Sequence, residues 1–400
     1  MNDFCEELQQ RIAAIRAQGL HRELRRVDSP QLPHIQVNGK TLLNFSSNDY
    51  LGLANDPLLK EAAVRAVERY GAGSGASRLI SGSLAPHHEL EHTLAAFKGA
   101  EAALVFSSGY AAAIGAIGAL LDAHDVIVLD KRVHASIIDA ARLCGAELRV
   151  FAHNDAHSLA KILRSTDRRH ARSGGKRRPR ILIVTESVFS MDGDFAPLPE
   201  LVELKEKHGA WLMVDEAHAT GLYGASRRGL IEEFGLGGRI DIQMGTLGKA
   251  LGACGGYLCG PRVLIEYLVN RARSFIFSTA PVPAAAAAAA AAIQFVQSDA
   301  GHARRQVLWS RVDQLKNALL QAGFGLPPVR SAIIPLLMGT EQNAVRMAAA
   351  VREQGVFIPA IRYPTVARGQ ARLRVTVSAA HTATDVNQLV SVLASVKSQT

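Results

Sequence analysis

Several features that mark common classes of protein are scarce or absent in this sequence. Only four of its 400 residues are cysteines, at Cys5, Cys144, Cys254 and Cys259, and no two of them form a C-x-x-C pair. This spacing argues against a disulfide framework and against a zinc site, so we expect no metal. The apolar run 284–292 is too short to span a membrane, and the N-terminus lacks the basic and apolar regions of a secretory signal. We therefore expect a protein of the reducing cytoplasm with no membrane partner.

Aromatic residues are also sparse, at 6% of the chain, whereas the formal net charge is +9. Much of this charge comes from the basic stretch 164–180, which suggests a nucleic-acid-binding surface as one alternative. Such surfaces usually place aromatic side chains among the basic ones, but this stretch contains none, and glycine and proline break it. The pattern favours a solvated surface loop and no nucleic-acid partner, while the overall charge would suit a phosphate-bearing substrate.

What the sequence does contain is an alternation of short apolar runs and helical stretches between residues 58 and 260. The predicted strands are 102–106, 126–129, 148–151, 181–185, 211–214 and 256–259. The predicted helices are 58–70, 87–98, 109–121, 134–143 and 198–208. Continuous apolar runs are typical of strands buried on both faces. The alternation therefore predicts an α/β fold with a large, mostly parallel sheet flanked by helices.

The two ends of the chain have a different character. Four apolar residues at helical spacing, Leu8, Ile12, Ile15 and Leu20, predict that residues 1–30 form a basic amphipathic helix. After residue 306 the predicted order is helix 306–322, strand 333–337, helix 341–354, a strand near 356–359, strand 371–377 and helix 383–397. We divide the chain into an N-terminal helical arm (1–45), a large α/β domain (46–285) and a smaller C-terminal α+β domain (286–400).

Polar residues follow several of the predicted strands. They are Ser107–Tyr110, Asp130, Glu186–Ser187, Asp215–His218 and the loop around Lys249. Ligands of parallel α/β sheets bind outside the carboxyl ends of the strands. We therefore expect these side chains to meet at one edge of the sheet and to form a binding site.

Lys249 lies among small residues in the segment Gly245–Gly252, about thirty residues after Asp215. A crowded or buried lysine loses its charge more readily than a surface lysine and can form a Schiff base. An acid at the end of a buried strand is the partner that a pyridinium nitrogen needs. The pair suggests pyridoxal 5'-phosphate (PLP), although Lys249 alone is equally compatible with an ordinary helix start.

PLP also requires donors for its phosphate and a flat group against its ring. Ser108-Gly109-Tyr110 lies between a strand and a helix, where helix amides can hold a phosphate, but an ordinary N-cap serine gives the same pattern. His134 suits a cofactor face, yet a lone histidine is more often structural. His218 is close enough in sequence to Asp215 to reach the phenolic oxygen of PLP. Thr246, three residues before Lys249, could donate a hydrogen bond to the phosphate.

Two nucleotide-binding alternatives fail on their motifs. Asp215-Glu216-Ala217-His218 resembles the acidic box of a nucleic-acid-dependent ATPase, which needs a preceding G-x-x-x-x-G-K-[ST] loop. The only candidate, at Lys249, follows the box, has Gln243 in place of the first glycine and has Ala250 where a hydroxyl must bind magnesium. A dinucleotide-binding oxidoreductase fails as well, because no G-x-G-x-x-G opens a helix after the first strand.

With these residues assembled, the chain resembles the α-oxoamine synthase family of fold-type I pyridoxal-phosphate enzymes over nearly its whole length. The matching segments are Asn44–Leu53, Gly73–Arg78, Phe106–Tyr110, Asp130–Ala135, Thr185–Asp194, Val214–Gly221, Thr246–Gly252, Phe277–Thr279 and Ala371–Arg374. The resemblance implies a PLP-dependent transferase that works as a homodimer with shared active sites. The basic stretch 164–180 departs from the family pattern and receives no role.

The resemblance also implies the roles of individual residues. Lys249 would hold the cofactor through a Schiff base, Asp215 would pair with its ring nitrogen, and His134 would stack on the ring. His218 would hydrogen-bond the ring oxygen, and Arg374 would clamp the carboxylate of the amino acid. The further cofactor residues are Ser108, Gly109, Tyr110, Ser190, Thr246 and, for the neighbouring subunit's cofactor, Ser278 and Thr279. The further substrate contacts are Arg25, Asn48, His134, Arg362 and Thr365.

Within the family, Ile361–Val366 resembles the member that acts in biotin biosynthesis. This implies a decarboxylative condensation of L-alanine with a pimeloyl thioester, carried on coenzyme A or on an acyl carrier protein. A relative that joins glycine to acetyl-CoA, giving 2-amino-3-oxobutyrate, stays open as an alternative. A basic nucleic-acid-binding protein without a cofactor is the distant one.

Overall fold

The computed structural model describes residues 3–172 and 177–398, so Ser173–Lys176 of the basic stretch lie outside the described residues. The chain divides into two compact units. The larger unit consists of residues 51–190 and 194–305, and the smaller unit of residues 1–50, 191–193 and 306–400. The N-terminal arm thus groups with the C-terminal residues, and 286–305 group with the α/β sheet.

The secondary structure alternates as the sequence pattern predicts. The strands are β1 (His34–Val37), β2 (Lys40–Asn44), β3 (Ala102–Phe106), β4 (Val126–Asp130), β5 (Glu147–Phe151), β6 (Ile181–Glu186), β7 (Trp211–Asp215), β8 (Ile242–Thr246), β9 (Gly256–Gly260), β10 (Ile333–Gly339), β11 (Val356–Phe357), β12 (Ala360–Ile361) and β13 (Ala371–Thr376). The helices are α1 (Asp3–Ala17), α2 (Pro57–Tyr70), α3 (Ala85–Lys98), α4 (Gly109–Leu120), α5 (Ala135–Leu143), α6 (Ala156–Ala171), α7 (Leu198–His208), α8 (Leu230–Glu233), α9 (Arg262–Arg271), α10 (Arg273–Ile276), α11 (Pro283–Gln297), α12 (Asp299–Gln321), α13 (Glu341–Glu353) and α14 (Ala383–Ser398). None of these described helices is both long and apolar enough to cross a bilayer.

The larger unit is built on a seven-stranded sheet in the order β3-β9-β8-β7-β6-β4-β5. Strands β8, β7, β6, β4 and β5 pair in parallel, and β9 runs antiparallel to both of its neighbours. Every residue of β4 and β6 is buried, as expected for strands covered on both faces. The predicted large, mostly parallel α/β sheet is confirmed.

Strand β8 is an element that the sequence pattern missed, because polar and small residues interrupt it. Gln243 and Gly245 break the apolar run, yet β8 pairs with β7 on one side and with β9 on the other. Gly245 is needed there, since a Cβ at this position would lie 2.4 Å from the hydroxyl oxygen of Tyr257. The loop that carries Lys249 therefore starts only after Thr246.

Helix α4 forms the centre of the hydrophobic core on one face of this sheet. Ala112, Ala113, Ala116 and Ile117 have no exposed surface, and the helix packs among side chains of β3, β4, β8 and β9. Small residues around the whole helix let it approach the sheet closely, at the density typical of protein interiors. Its N-terminus is thereby fixed next to the ends of strands that carry candidate site residues.

The smaller unit contains two three-stranded sheets, in the orders β1-β2-β11 and β10-β13-β12. Strand β13 pairs antiparallel with both β10 and β12, and all six of its residues are buried. Two of them are arginines, Arg372 and Arg374. A buried strand that alternates apolar and cationic residues needs polar partners for its charges.

The prediction that residues 1–30 form a basic amphipathic helix is wrong in the extent of the helix and in its charge. The helix predicted within residues 1–30 ends at Ala17, because Gly19 takes the left-handed conformation at φ +65° and stops it. It is also not basic, since it carries Asp3, Glu6 and Glu7 against two arginines.

The basic stretch 164–180 is not simply a surface loop. Its first part belongs to α6, which is capped by Asp155 and buries Leu159 and Leu163 on one face. Several of the charges are locally paired: Arg169 binds Glu147, and Arg180 binds Asp122 and Asp125. The stretch is therefore one face of an amphipathic helix followed by arginines that meet carboxylates of their own unit.

Candidate active site

The carboxyl ends of three neighbouring strands place the main candidates of the larger unit together. The parallel register of β6 and β7 sets Glu186 opposite Asp215, and the register of β7 and β8 sets Asp215 opposite Met244. Thr246 is the last residue of β8, and Lys249 follows three residues later. The predicted convergence at one edge of the sheet is present.

Lys249 is half-buried, and its side-chain nitrogen Nζ lies 2.7 Å from Nε2 of His218. The loop around it is tightly bonded, with Leu247 donating to Gly255 O at 2.9 Å and Ala253 donating to Leu247 O at 2.9 Å. Gly252 has φ +61°, and a Cβ on it would lie 2.5 Å from the backbone nitrogen of Ala54. Lys249 is thus a crowded lysine held by backbone, as its small neighbours in sequence suggested.

Asp215 supplies a buried acid to the same site. It is 6% exposed, and its Oδ1 accepts a hydrogen bond from the Ala217 amide at 2.9 Å. Burial raises the pKa of Asp215, while the charge of Lys249, the Ala217 amide and His134 oppose that rise. A buried carboxyl in this state is stabilised in its ionised form by a nearby cation, which is what a pyridinium ring nitrogen provides.

The N-terminus of α4 is the candidate anion-binding end of the site. Ser108 is the N-cap and accepts from the Ala111 amide at 3.1 Å, so the capping interpretation of this serine holds. A Cβ on Gly109 would lie 3.8 Å from Cβ of Thr246, and the hydroxyl of Thr246 donates to Gly255 O at 2.9 Å. Helix N-termini favour phosphate, and the two interpretations of Ser108 are therefore compatible. Tyr110 is exposed and donates its hydroxyl hydrogen to Asp139 at 2.7 Å.

His134 presents a flat, neutral ring near these groups. It is the N-cap of α5, and its Nδ1 accepts from the Ser136 amide at 3.3 Å. Desolvation lowers its pKa, Asp215 opposes this, and the charge of Lys249 lowers it further. The ring is still accessible to a ligand. A neutral imidazole of this kind can pack against a planar aromatic cofactor.

The remaining cofactor candidates lie at two other places in the larger unit. The backbone amide of Ser190 donates to Oε2 of Glu186 at 3.1 Å, close to the strand ends. Ser278 and Thr279 lie between α10 and α11, where Thr279 forms a β-bridge with Ser77. Thr279 is exposed.

Asp130, a strand-end candidate of the sequence analysis, is engaged in a local network. Its Oδ1 lies 2.9 Å from Nδ1 of His153, whose Nε2 lies 2.7 Å from Oδ2 of Asp194. Burial lowers the pKa of His153, but its two aspartate partners outweigh this and raise it to about 9. The charged His153 therefore links the end of β4, through Asp130, to Asp194 in the segment after β6.

A buried ion pair that the sequence analysis did not identify supports the segment Asp215–His218. Lys98, at the end of α3, donates to Oε2 of Glu216 and to the carbonyl oxygen of Arg228. Both side chains are almost fully buried, and Oε1 of Glu216 accepts from the Ile231 amide at 3.0 Å. Burial lowers the pKa of Lys98, but Glu216, together with Tyr257 and Cys259, raises it, so the net shift is upward. The partners are 118 residues apart, which no local pattern reveals.

The smaller unit holds the predicted substrate contacts in two places. Arg374 is 5% exposed, and its Nη1 donates to Oδ1 of Asn48 at 3.0 Å and to Oγ1 of Thr376 at 3.0 Å. Both of these acceptors are neutral oxygens. Arg372, on the same strand, forms an ion pair with Asp192. The arrangement suits recognition of a small carboxylate by Arg374.

A basic cavity of about 560 Å³ lies in the same unit and contains the other substrate candidates. Its lining includes Arg22, Arg25, Arg352, Arg362 and Thr365. Burial and the charges of Arg22 and Arg25 lower the pKa of Arg362, which shows that positive charge is concentrated here. The Nη2 group of Arg362 donates to the carbonyl oxygen of His21 at 2.6 Å, so the N-terminal arm forms one wall.

Comparison with known proteins places this site in a defined class. The model of the aminotransferase class I and II family matches residues 40–393, and the chain belongs to that family. Among solved structures, a serine palmitoyltransferase of Sphingomonas wittichii is similar, with a TM-score of 0.90, 32% identity and coverage of 100% of this chain and 98% of that one. The fold is that of the fold-type I PLP-dependent transferases.

Curated relatives narrow the class. The 8-amino-7-oxononanoate synthase of Anaeromyxobacter dehalogenans is 49% identical over 96% of this chain and 94% of its own length. That of Symbiobacterium thermophilum is 43% identical over 99% of this chain and 98% of its own length. A solved 8-amino-7-oxononanoate synthase from Francisella tularensis is 29% identical with a TM-score of 0.73, covering 90% of this chain and 98% of that one.

Proposed function

We propose that the chain catalyses the condensation of L-alanine with a pimeloyl thioester in biotin biosynthesis, giving 8-amino-7-oxononanoate, CO2 and the free thiol. The observation that carries this is the identity of 43–49%, over nearly the whole chain, to proteins named 8-amino-7-oxononanoate synthase. In the reaction a C–C bond forms between Cα of alanine and the acyl carbon. The C–S bond of the thioester and the bond to the alanine carboxylate break.

The cofactor is PLP, and the residues at the strand ends fit it. Lys249 offers the amine, Asp215 the buried acid for the ring nitrogen, and His134 a neutral ring for stacking. The amides at the start of α4, with Ser108, Gly109, Tyr110 and Thr246, form the phosphate end. When bound, PLP supplies the electron sink that stabilises a carbanion at Cα of the amino acid.

Lys249 has a second task as the base that removes the Cα proton of alanine and later returns one. His218 lies 2.7 Å from its Nζ and helps to hold the amine in place. His218 would also donate a hydrogen bond to the ring oxygen of the cofactor. Ser190 is a further residue proposed to contact the cofactor.

Arg374 holds the carboxylate of alanine, with Asn48 keeping the guanidinium in position at 3.0 Å. The carboxylate it orients is the one that leaves as CO2, so the same contact aligns first the Cα–H bond and then the Cα–C bond. A guanidinium suits this because it binds a carboxylate through two parallel hydrogen bonds.

We expect Arg374→Lys to lower kcat/KM for L-alanine by about 10- to 100-fold, mainly through KM, because an ammonium cannot make the paired hydrogen bonds. Steady-state kinetics with alanine varied at a saturating thioester concentration measures this. Arg346→Lys on α13, an exposed arginine of the same unit, is the control and should behave as wild type. Equal KM values for alanine in wild type and in Arg374→Lys would show that Arg374 does not bind the carboxylate of alanine.

The acyl donor is an anion, and the basic cavity lined by Arg25, Arg362 and Thr365 is the place we propose for its negative end. The concentration of arginines there suits either the distal carboxylate of a pimeloyl chain or the phosphates of the donor. We propose a cytoplasmic enzyme that accepts pimeloyl-CoA or pimeloyl-acyl carrier protein. Four free cysteines are compatible with that reducing compartment.

The functional unit is a homodimer, and an apolar patch around the Ser77–Thr279 bridge supports this. The patch consists of Leu79, Ile80, Phe277 and Val282, of which Ile80 is 80% and Phe277 71% exposed. The two segments are joined by a hydrogen bond from Ala280 N to Ala76 O at 3.0 Å. Exposed apolar surface of this kind marks interaction sites, and covering it with a second copy would direct Ser278 and Thr279 at the neighbour's cofactor.

Ile80→Asp should convert the dimer to monomers and lower activity at least about tenfold, because a charge in a buried interface is strongly unfavourable. Sedimentation equilibrium reports the mass, and circular dichroism reports the fold. Val263→Asp is the matched control, since Val263 is 73% exposed on α9, outside the patch. The dimer surface is misplaced if Ile80→Asp sediments as the wild type does.

A panel of amino acids and thioesters tests the proposed function against its alternatives. We expect the highest kcat/KM for L-alanine with a pimeloyl thioester. A preference for glycine with acetyl-CoA would identify a different member of the family. A protein without a cofactor chromophore that binds DNA in a salt-dependent way would favour the nucleic-acid alternative, which the local pairing of the arginines disfavours.

A further inference from the structure

A second buried carboxyl lies beside Asp215 and has received no role so far. Glu186 ends β6, and the parallel register places it directly opposite Asp215 on β7. In-register residues of neighbouring strands point to the same face of a sheet, so both carboxyls face one side. Glu186 is 2% and Asp215 6% exposed. Two ionised carboxylates at neighbouring in-register positions, both buried away from water, would repel each other strongly.

The hydrogen bonds of Glu186 indicate which carboxyl is neutral. Its Oε2 accepts from the Ser190 amide at 3.1 Å, whereas its buried Oε1 has no hydrogen-bond partner among the residues that the structure describes. A fully buried anionic oxygen without a donor is costly, and a neutral carboxylic acid at the same place costs less. Asp215 accepts the Ala217 amide on Oδ1 at 2.9 Å, and neither of its oxygens is both fully buried and without a partner among the described residues.

The charges around Glu186 agree with this assignment. Burial and then the charge of Asp215 raise the pKa of Glu186 to about 8. The ammonium of Lys249, the Ser190 amide and, weakest of all, the His134 amide, which completes no hydrogen bond to Oε1, only partly offset them. These groups come from β7, from the loop after β8, from the segment after β6 and from the start of α5. Burial raises the pKa of Asp215 as well. The unpartnered Oε1 of Glu186 therefore decides the assignment, and it places the proton on Glu186 at neutral pH.

We propose that Glu186 is a positioning residue of the cofactor site, held as a neutral carboxylic acid so that Asp215 is the single negative charge beside the ring nitrogen. One negative charge matches the one positive charge of a pyridinium, whereas two would leave an uncompensated anion in a buried site. Glu186 thus acts on the cofactor through Asp215. The proposal rests on PLP binding at this site and not on the identity of the acyl donor.

Glu186→Gln tests this directly, because glutamine is a neutral mimic of the protonated acid. The cofactor-loaded proteins are titrated from about pH 6 to pH 10 by absorbance. We expect the Gln variant to match wild type in spectrum and cofactor affinity near neutral pH and to lack an alkaline transition that wild type shows. Glu206→Gln, a surface change on α7, should keep that transition. A Gln variant that keeps the transition, or that loses cofactor affinity tenfold or more at neutral pH, overturns the proposal.

A measurement on the unmutated chain covers the case in which the Gln variant does not fold. The infrared difference spectrum of wild type between neutral and alkaline pH should show the carbonyl band of a protonated carboxylic acid that disappears on deprotonation. The absence of such a band overturns the proposal. Product formation is measured separately. If wild type makes 8-amino-7-oxononanoate but lacks this band, the role of Glu186 is refuted and the proposed function is unaffected.

Discussion

Lys249→Ala should lose at least about 10³-fold in turnover while still binding PLP noncovalently. Two functions disappear with one amine, because Lys249 both attaches the cofactor and transfers the Cα proton of the substrate. No other group replaces it easily, since His218 at 2.7 Å from Nζ is already committed to the same site. Alanine at position 249 leaves the surrounding loop intact, because that loop is held by backbone hydrogen bonds of Leu247, Ala253 and Gly252.

Mass spectrometry after borohydride reduction shows whether the attachment is lost. The wild-type peptide that contains Lys249 should gain the mass of the reduced cofactor, and the variant protein should gain none. Lys60→Ala on α2 is the control, because Lys60 is an exposed lysine of the same unit. Wild-type turnover by Lys249→Ala without an added amine would show that another residue carries the chemistry.

Asp215→Asn should lower kcat by about 10²- to 10³-fold while the protein still folds and binds the cofactor. Asparagine keeps the size of the side chain and its contact with the Ala217 amide. As a neutral group, however, it cannot stabilise a positive ring nitrogen, and an unprotonated ring is a much weaker electron sink. The absorbance of the bound cofactor should change together with kcat.

The control for Asp215→Asn removes a carboxylate of the same type from an exposed position. Asp313→Asn on α12 breaks only an exposed pair with Lys316 and should leave kcat within about twofold of wild type. If Asp215→Asn also stays within that range, the ring nitrogen takes its partner from elsewhere, and Glu186 would be the first residue to test.

The strands of the large sheet could be predicted because burial on both faces leaves a clear trace in sequence. Runs such as Ile181–Val184 are continuous, and their bounds agree with β6 to within a few residues. Strand β8 leaves no such trace, because Gln243 and Gly245 interrupt its apolar run. Both residues are accommodated by the neighbouring strands β7 and β9, and those neighbours are known only from the folded sheet. The pairing partners, and not the local sequence, make Ile242–Thr246 a strand.

The site shows the same division. Residues that follow parallel strands meet at one edge of the sheet, so Asp215 and His218 could be placed there from sequence. Lys249 was grouped with them because of its small neighbours, since the strand that precedes it was not predicted. The ion pair of Lys98 with Glu216 joins residues 118 positions apart and depends on how α3 packs, which no periodicity encodes. The basic stretch 164–180 is predicted as a surface loop for a related reason. Its many charges make the sequence look uniformly polar, although its first part belongs to a helix with a buried apolar face formed by Leu159 and Leu163.

The most direct test of the proposed reaction follows the atoms of alanine into the product. The enzyme is incubated with pimeloyl-CoA and with L-alanine labelled either at the carboxyl carbon or at Cα, and the product is analysed by mass. We predict 8-amino-7-oxononanoate that keeps the Cα label and loses the carboxyl label as CO2. A product that retains the alanine carboxyl, or a product with glycine but none with alanine, would contradict the proposed reaction.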